Sequence, residues 1–160
     1  KGQMFDVLLD VCPSFGSGWE AFLGELPGPT DDRPLYIALG ELARHLVGML
    51  ERSDTASFPA IFAAVERLVI EGEHYVSEAA VVGLLEDLQN LNLYTSAEPE
   101  QFRPWLGPES AKAWDELYVF WGQVAEAKAA GLLGPSVPID PNEIENPELR
   151  KMVEHIYPKR

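Results

Sequence analysis

The chain has 160 residues, 46% of them hydrophobic and 24% charged, which is the composition of a single globular domain with a core of its own. Its 26 acids and 12 bases give a formal net charge of −14, so phosphate backbones and anionic membrane surfaces would repel it. We therefore expect neither nucleic acid nor membrane as a partner. A basic protein partner fits the charge, and so does high solubility alone.

The cysteine content and the start of the chain bear on the compartment. Cys12 is the only cysteine, which rules out an internal disulfide and a thiolate zinc site. No apolar run approaches the roughly 18 residues that cross a bilayer. Residues 1–3 are polar and lack the apolar stretch of a secretion signal. We expect a cytoplasmic protein.

Helical patterns separated by breaks fill the first third of the chain. Pro13 ends the first helix, a turn covers 14–18 before a short second helix, and residues 26–30 form a firm break. A third helix is predicted from about residue 31 to Arg52. The apolar residues at helical spacing are Phe5, Leu8, Leu9 and Cys12, then Trp19, Phe22 and Leu23, then Leu35, Leu39, Leu42, Leu46 and Leu50.

Two further helical patterns stand back to back between Phe58 and Leu93. Ser57 is placed to cap the first of them and Ser77 the second. Their apolar stripes are Phe58, Ile61, Phe62, Val65, Leu68 and Val69, then Val81, Leu84, Leu85, Leu88 and Leu91. Five acids lie off the stripes, namely Glu66, Glu71, Glu73, Glu86 and Asp87. A rigid helical pair that presents negative charge is a surface for binding a basic partner, and these five acids are the predicted contact residues.

The last third of the chain is less regular. Residues 92–104 contain several breaks, and Pro108 lies in the first turn of a helix predicted to end at Ala130. A proline-rich strap over 131–145 precedes a C-terminal helix. Because strand signals are nearly absent, we predict one all-α domain over residues 1–160. Its architecture is an irregular antiparallel helical bundle or a short helical stack, with six or seven helices.

Three aromatic residues of the Pro108 helix share one face. Trp114, Tyr118 and Trp121 fall at i, i+4 and i+7. Such a stripe usually packs in a core. The alternative is a pocket for an apolar ligand or for a partner's side chain, where tryptophan and tyrosine are favoured anchors. A small-ligand binding protein is therefore the second functional hypothesis.

No set of residues assembles into an active site or a metal centre. Cys12 shares a face with Phe5 and Leu8, which favours a buried hydrophobe over a nucleophile with His45 or His74 as its base. His74 and Glu78 have the i, i+4 spacing of a shared metal, but they span a predicted turn. The Glu-x-x-His pairs of di-iron bundles and the glycine-rich phosphate loops are missing. We expect no enzyme, no cofactor and no metal.

Two short motifs carry a resemblance to a known family. They are Cys12-Pro13-Ser14-Phe15, ahead of the Trp19 helix, and Leu85-Glu86-Asp87-Leu88-Gln89-Asn90, at the end of a central helix. Together they resemble an uncharacterised bacterial family of small, acidic, all-helical proteins, some of which sit beside toxin genes in the manner of immunity proteins. The likeness covers roughly the first hundred residues and brings no catalytic residues. It implies a binding protein that neutralises a basic toxin domain.

Overall fold

The computed structural model describes residues 3–25 and 34–132, and every regular element in these two ranges is helical. The all-α fold class predicted from the sequence is confirmed there. The longer helices are α1 (Met4–Val11), α2 (Gly16–Glu25), α3 (Leu35–Glu51), α4 (Phe58–Glu71), α5 (His74 to Leu88, in three segments) and α6 (Pro108–Ala129). Short 3₁₀ helices cover Pro13–Phe15, Leu91–Leu93 and Pro99–Trp105.

Some predicted features lie outside the described residues. The strap predicted over 131–145 lies outside them from residue 133 onward, and the predicted C-terminal helix lies outside them entirely. The start of the third helix near residue 31 is outside as well. In the ranges that are described, no helix combines the length and the apolar character that a bilayer span needs.

Helix α3 lies at the centre of the fold. Its leucines at helical spacing, Leu35, Leu39, Leu42 and Leu46, are all buried, as the periodicity predicts. Helix α5 is packed closely against it, because Gly83 has no side chain. A Cβ at Gly83 would lie 2.9 Å from the Leu39 Cδ1 atom. This contact fixes the position of α5 and therefore of the residues at its C-terminal end.

A cluster of aromatic rings attaches the segment after α5 to the core. Phe58, at the start of α4, packs edge-to-face against Phe62 and Trp105, with ring centroids 5.7 and 4.9 Å away. Phe102 stacks on Phe58, with 5.6 Å between the ring centroids. Offset and edge-to-face pairs are the favourable arrangements of aromatic rings. The cluster thus holds Pro99–Trp105 on α4 and sets where α6 begins.

The structure corrects the predicted starts of two helices. Helix α2 begins at Gly16, inside the expected turn over 14–18, because the 3₁₀ turn after Pro13 continues into it. Helix α5 begins at His74, so Ser77 is inside the helix rather than its cap. The Ser77 hydroxyl instead donates a hydrogen bond to the Val69 carbonyl oxygen of α4, at 2.8 Å. Ser57 does precede α4, but its side chain makes no capping hydrogen bond.

Helix α5 changes its hydrogen-bonding pattern midway. An α-helical segment, His74–Glu78, is followed by a π-helical segment, Ala79–Leu85, and by a last α-helical turn, Glu86–Leu88. A π-helical stretch is rare, and such stretches are frequent at functional sites. Leu91, which the helical spacing places on the buried stripe, is 71% exposed in the turn beyond α5.

Helix α6 extends past the core. Trp114 and Leu117 are its last buried residues. From Tyr118 to Ala129 every residue is exposed or partly exposed. The aromatic residues in the middle of α6 therefore stand where the helix leaves the packed part of the molecule.

Candidate functional site

The five predicted contact acids lie in three different places. Glu66 contacts the start of α6. Glu71 and Glu73 line a shallow depression between α1, α4 and the start of α5. Glu86 and Asp87 line a groove between the end of α5 and α6. The acids therefore do not form one continuous contact surface.

Glu66 is occupied by contacts within the chain. Its carboxylate accepts hydrogen bonds from the backbone N–H groups of Glu109 and Ser110, both at 2.8 Å, and from the Ser110 hydroxyl at 2.6 Å. Burial favours the neutral acid, yet these three hydrogen bonds hold the pKa of Glu66 below its usual value. Glu66 thus caps the N-terminus of α6 from another helix.

Glu71 and Glu73 are exposed residues at the turn between α4 and α5. Glu71 is 3.6 Å from Arg67, one helical turn earlier, and both side chains are mostly exposed. Glu73 immediately precedes α5. Exposed pairs of this kind contribute about 1 kcal/mol or less, because water screens the two charges.

Glu86 and Asp87 differ from Glu71 and Glu73, because both are half-buried. Burial raises the pKa of Glu86, and the neighbouring Asp87 charge raises it further, against a hydrogen bond from the Trp121 side chain that lowers it. Burial also raises the pKa of Asp87, partly offset by Arg44 of α3. The Asp87 carboxylate lies against α3, with its Oδ2 atom 2.8 Å from the position that a Cβ would take at Gly40. Glu86 is the carboxylate that contacts Trp121, and its partly desolvated charge favours the binding of a cation.

The structure separates the three predicted aromatic residues. Trp114 is fully buried, and its indole N–H donates to the Glu100 carboxylate at 3.0 Å. It belongs to the core and is closed to a ligand. Tyr118 packs edge-to-face on Trp114 but is 41% exposed, and Trp121 is 46% exposed. Tyr118 and Trp121 are therefore the two of the three that an incoming group can touch.

These aromatic residues and the half-buried acids meet in one groove, which we call the α5–α6 groove. It has a volume of about 390 Å³ and is partly open to solvent. Its lining residues are Glu86, Asp87, Gln89, Asn90, Leu91, Tyr118 and Trp121. Two of the five predicted acids and two of the three predicted aromatic residues thus line the same groove, directly after the π-helical segment of α5.

A family model described as "Domain of unknown function (DUF7674)" matches residues 5–122. The chain belongs to the DUF7674 family. No curated protein and no solved structure gives a significant match to the chain. All the residues that line the α5–α6 groove lie within the part that the DUF7674 model matches.

The DUF7674 domain also contains a polar cluster in which Ser14 lies between Cys12 and His45. The sequence suggested His45 as a candidate base for Cys12, but it did not indicate Ser14. The Ser14 hydroxyl is 2.8 Å from His45 Nε2 and 3.6 Å from the Sγ atom of the buried Cys12. Burial lowers the pKa of His45, and the Arg52 charge lowers it further, against an opposing effect of Asp54. Because 31 residues separate Ser14 from His45, no local spacing could have predicted the contact. The hydrogen bond between Ser14 and His45 connects the turn between α1 and α2 to α3.

His74 and Glu78 have the one spacing in the sequence that suggested a shared metal ion. His74 and Glu78 do share α5, contrary to the predicted turn, with 3.6 Å between His74 Nε2 and Glu78 Oε2. The His74 side chain is 97% exposed. Among residues 3–25 and 34–132, no group of three or more histidine, cysteine or acidic side chains is placed to hold a metal ion.

Proposed function

We propose that the protein is a non-catalytic interaction protein that binds a basic protein partner at the α5–α6 groove. The supporting observation is the joint lining of this groove by Glu86, Asp87, Tyr118 and Trp121. Carboxylates attract a lysine or arginine head group, while aromatic faces accept its cationic end or its apolar stem. Among the site residues predicted from the sequence, no others in the described part of the chain bring carboxylates and aromatic rings together.

The energies favour this groove over the exposed acids. A cation over an aromatic ring gains about 0.5–1 kcal/mol at an exposed site and about 2 kcal/mol when water is excluded. Partial burial of Glu86 strengthens its attraction for a cation, because fewer water molecules screen it, whereas Asp87 already has the Arg44 charge beside it. The net charge of −14 adds long-range steering of a basic partner.

The most concrete form of this proposal is immunity to a toxic effector in the bacterial cytoplasm. The acidic charge and the two motifs that resemble immunity-like proteins support it. The second motif, Leu85 to Asn90, supplies four residues of the groove. In this form the protein covers the basic, functional surface of the toxin and so blocks it.

A binding titration tests the groove directly. The probes are an oligo-arginine peptide and an oligo-glutamate peptide of the same length, and the signal is the change in tryptophan fluorescence. We expect the arginine peptide alone to bind. The double variant Glu86→Gln, Asp87→Asn should bind it about tenfold more weakly and with a smaller dependence on salt, because two charges that contact the ligand are lost.

A matched control separates the groove from net charge. The double variant Glu71→Gln, Glu73→Gln removes the same two charges from a different place. If this variant loses as much affinity as the groove variant, only the overall charge matters and the groove proposal is wrong.

The immunity form needs its own experiment. A toxin reading frame next to this gene would be expressed together with the protein, and growth would be measured. We expect growth to be rescued by the wild-type protein and not by the Glu86→Gln, Asp87→Asn variant. Absence of such a reading frame, or rescue by neither protein, would contradict immunity while leaving the peptide result intact.

A small-ligand binding protein is the second candidate. The observation that favours it is the partial exposure of Tyr118 and Trp121 in the α5–α6 groove. Quenching of the Trp121 fluorescence by a small apolar molecule, lost in a Trp121→Phe variant, would support it. The same quenching in that variant would place the ligand elsewhere, since three other tryptophans remain.

A further inference from the structure

Three side chains of the kinds that bind metals meet at the turn between α1 and α2. The Ser14 hydroxyl is next to all of them, 2.8 Å from His45 Nε2, 3.6 Å from Cys12 Sγ and 3.9 Å from Met49 Sδ. An imidazole, a thiol and a thioether therefore share one oxygen atom as their neighbour. Cys12 and Ser14 belong to the first of the two sequence motifs, which takes no part in the α5–α6 groove. We call Cys12, His45 and Met49 the Cys-His-Met cluster.

Helical backbone holds the members of the Cys-His-Met cluster in place. His45 and Met49 are four residues apart on α3, so they lie one turn apart on the same side of that helix. Cys12 directly follows α1, and its backbone N–H donates to the Leu8 carbonyl oxygen at 2.8 Å. The His45 ring packs on Phe15, with 5.6 Å between the ring centroids. The donors are therefore positioned by packed elements, as a preorganised binding site requires.

The cluster is buried on its sulfur side and accessible at Ser14. Cys12 is 1% exposed and Met49 is 2% exposed, whereas His45 is partly buried and Ser14 is exposed. Rotation of the Ser14 side chain about its Cα–Cβ bond moves the hydroxyl to another staggered position. This movement opens the donors to an ion that arrives from solvent.

Charge selects the class of ion. Of the three donors only Cys12 can become negative, so a monovalent cation on its thiolate gives a neutral site. A divalent cation would leave a net positive charge among buried groups, which is costly. The Arg52 charge acts on His45 more strongly than the opposing Asp54 charge, and it disfavours a divalent ion further. Burial and the Arg52 charge also lower the pKa of His45, which keeps the imidazole in the neutral form that binds metals.

The softness of the ligands selects the metal. Thiolate and thioether sulfur atoms prefer Cu(I), and imidazole binds copper as well. Structural zinc sites use four ligands, and magnesium and calcium prefer oxygen. Cu(I) is therefore the ion that matches two sulfur donors, one nitrogen donor and a single negative charge.

We propose that Cys12, His45 and Met49 bind one Cu(I) ion near the place that the Ser14 hydroxyl occupies. The S–H bond of Cys12 breaks as the copper–sulfur bond forms, the proton passes to solvent, and copper stays in the +1 state. Metal–ligand bonds of about 2.0–2.3 Å are shorter than the distances to Ser14, so the donors close around the ion. The unbranched Met49 side chain has three rotatable bonds for this movement. Copper binding here is independent of partner binding at the α5–α6 groove.

An anaerobic titration with Cu(I), in competition with a chromophoric Cu(I) chelator, measures the affinity. The wild-type protein should take one equivalent of copper from the chelator. Met49→Leu should bind copper more than about tenfold more weakly, because it keeps the side-chain volume and removes a sulfur ligand. Met4→Leu is the matched control, since Met4 is equally buried but lies at the start of α1, outside the cluster. No uptake by the wild-type protein, or equal losses in the two variants, would overturn the proposal.

A second pair of variants tests the imidazole. His45→Gln should lose more than about tenfold in copper affinity, whereas His74→Gln should not, because the His74 side chain is 97% exposed and lies on α5. Circular dichroism establishes that each variant keeps its helices before copper is added. Wild-type affinity in a folded His45→Gln variant would show that the proposed ligand set is wrong.

Ser14→Ala tests where the ion lies. This change removes the hydroxyl from between the donors, so copper affinity should be kept or increased. A loss like that of His45→Gln would make the hydroxyl itself a ligand and contradict the proposed position.

Competition between metals tests the charge of the ion. Ag(I), which is also soft and monovalent, should displace Cu(I) from the wild-type protein, and Zn(II) at the same concentration should not. Displacement by Zn(II) would contradict the preference for a monovalent ion.

X-ray absorption at the copper edge identifies the bound atoms. We expect two sulfur neighbours and one nitrogen neighbour in the wild-type protein, and one sulfur neighbour fewer in Met49→Leu. A shell of nitrogen and oxygen atoms alone would place the copper on other side chains and reject the Cys-His-Met cluster as its site.

Discussion

Glu66 illustrates how the role of one residue depends on a distant part of the chain. On α4 it is off the apolar stripe, and the spacing alone predicts a free surface acid. In the structure both of its carboxylate oxygens accept hydrogen bonds from Glu109 and Ser110. The first backbone N–H groups of a helix have no partner within the helix, and a carboxylate placed there stabilises it.

Removing this cap should destabilise the fold. We expect Glu66→Ala to lower the free energy of unfolding by about 1–2 kcal/mol, which is the range for the loss of an N-terminal cap. Glu71→Ala is the control, and its effect should stay within about 0.5 kcal/mol, as for an ordinary surface substitution. Urea unfolding at neutral pH measures both. Equal effects would mean that the Glu66 contacts do not stabilise α6.

His45 should make stability depend on pH. Burial lowers the pKa of His45, so the unfolded chain takes up a proton at a higher pH than the folded chain does. The stability that neutral His45 contributes is therefore complete above about pH 6.5, the ordinary pKa of histidine. It is lost as the pH falls from there towards the pKa that His45 has in the folded protein. We expect the free energy of unfolding to decline over this interval in urea titrations. His45→Gln should flatten the decline, and an unchanged pH dependence would contradict this role.

At the scale of the helices, tertiary packing determines features of the structure that the local sequence pattern does not specify. The periodicity of α3 and α4 predicted most of the buried leucines and phenylalanines correctly, because an amphipathic helix has one side for its core. Leu50 and Leu68, nearer the ends of these helices, are only partly buried. The same spacing in α5 predicted Leu84, Leu85 and Leu88 correctly but failed at Leu91. The π-helical segment was not predictable, because no residue between Ala79 and Leu85 encodes it locally. Its geometry accompanies the close contact with α3.

The candidate site was predictable in parts. Helical spacing correctly placed Trp114, Tyr118 and Trp121 on one helix. It could not show that the core ends between Leu117 and Tyr118, because that depends on where α6 leaves the other helices. Likewise, no spacing relates Glu86 to Trp121, which lie on different helices and meet only through the packing of α6 on α5.

The contact between α3 and α5 can be tested at Gly83. A Cβ there would approach Leu39 and Tyr36 to within 3.3 Å, so a neighbour must move. We expect Gly83→Ala to destabilise the protein by about 1–3 kcal/mol, the usual cost of overpacking. Gly122→Ala in α6 is the control, because nothing lies within 4 Å of its Cβ position and alanine favours a helix by about 1 kcal/mol. The midpoint temperature of thermal unfolding should fall for Gly83→Ala and rise for Gly122→Ala. If both variants unfolded at a higher temperature than the wild-type protein, there would be space between α3 and α5 for a methyl group at residue 83, and the close contact would be contradicted.

At the scale of the whole molecule, two electrostatic effects compete. Exposed pairs such as Arg44–Glu41 and Arg67–Glu71 stabilise the fold weakly and are weakened by salt. The excess of acids makes the folded chain repel itself, and salt relieves that repulsion. With 26 acids and 12 bases, more than half of the acids have no base to balance them. Repulsion should therefore outweigh the surface pairs.

It follows that sodium chloride should stabilise this protein at neutral pH. We expect the free energy of unfolding to rise by on the order of 1 kcal/mol between low and physiological ionic strength, where the screening length shortens to about 8 Å. The control is the same experiment near pH 4.5, the isoelectric point, where the net charge vanishes and the salt effect should disappear or reverse. A loss of stability with salt at neutral pH would show instead that specific ion pairs dominate, and that the acids are arranged more favourably than their number suggests.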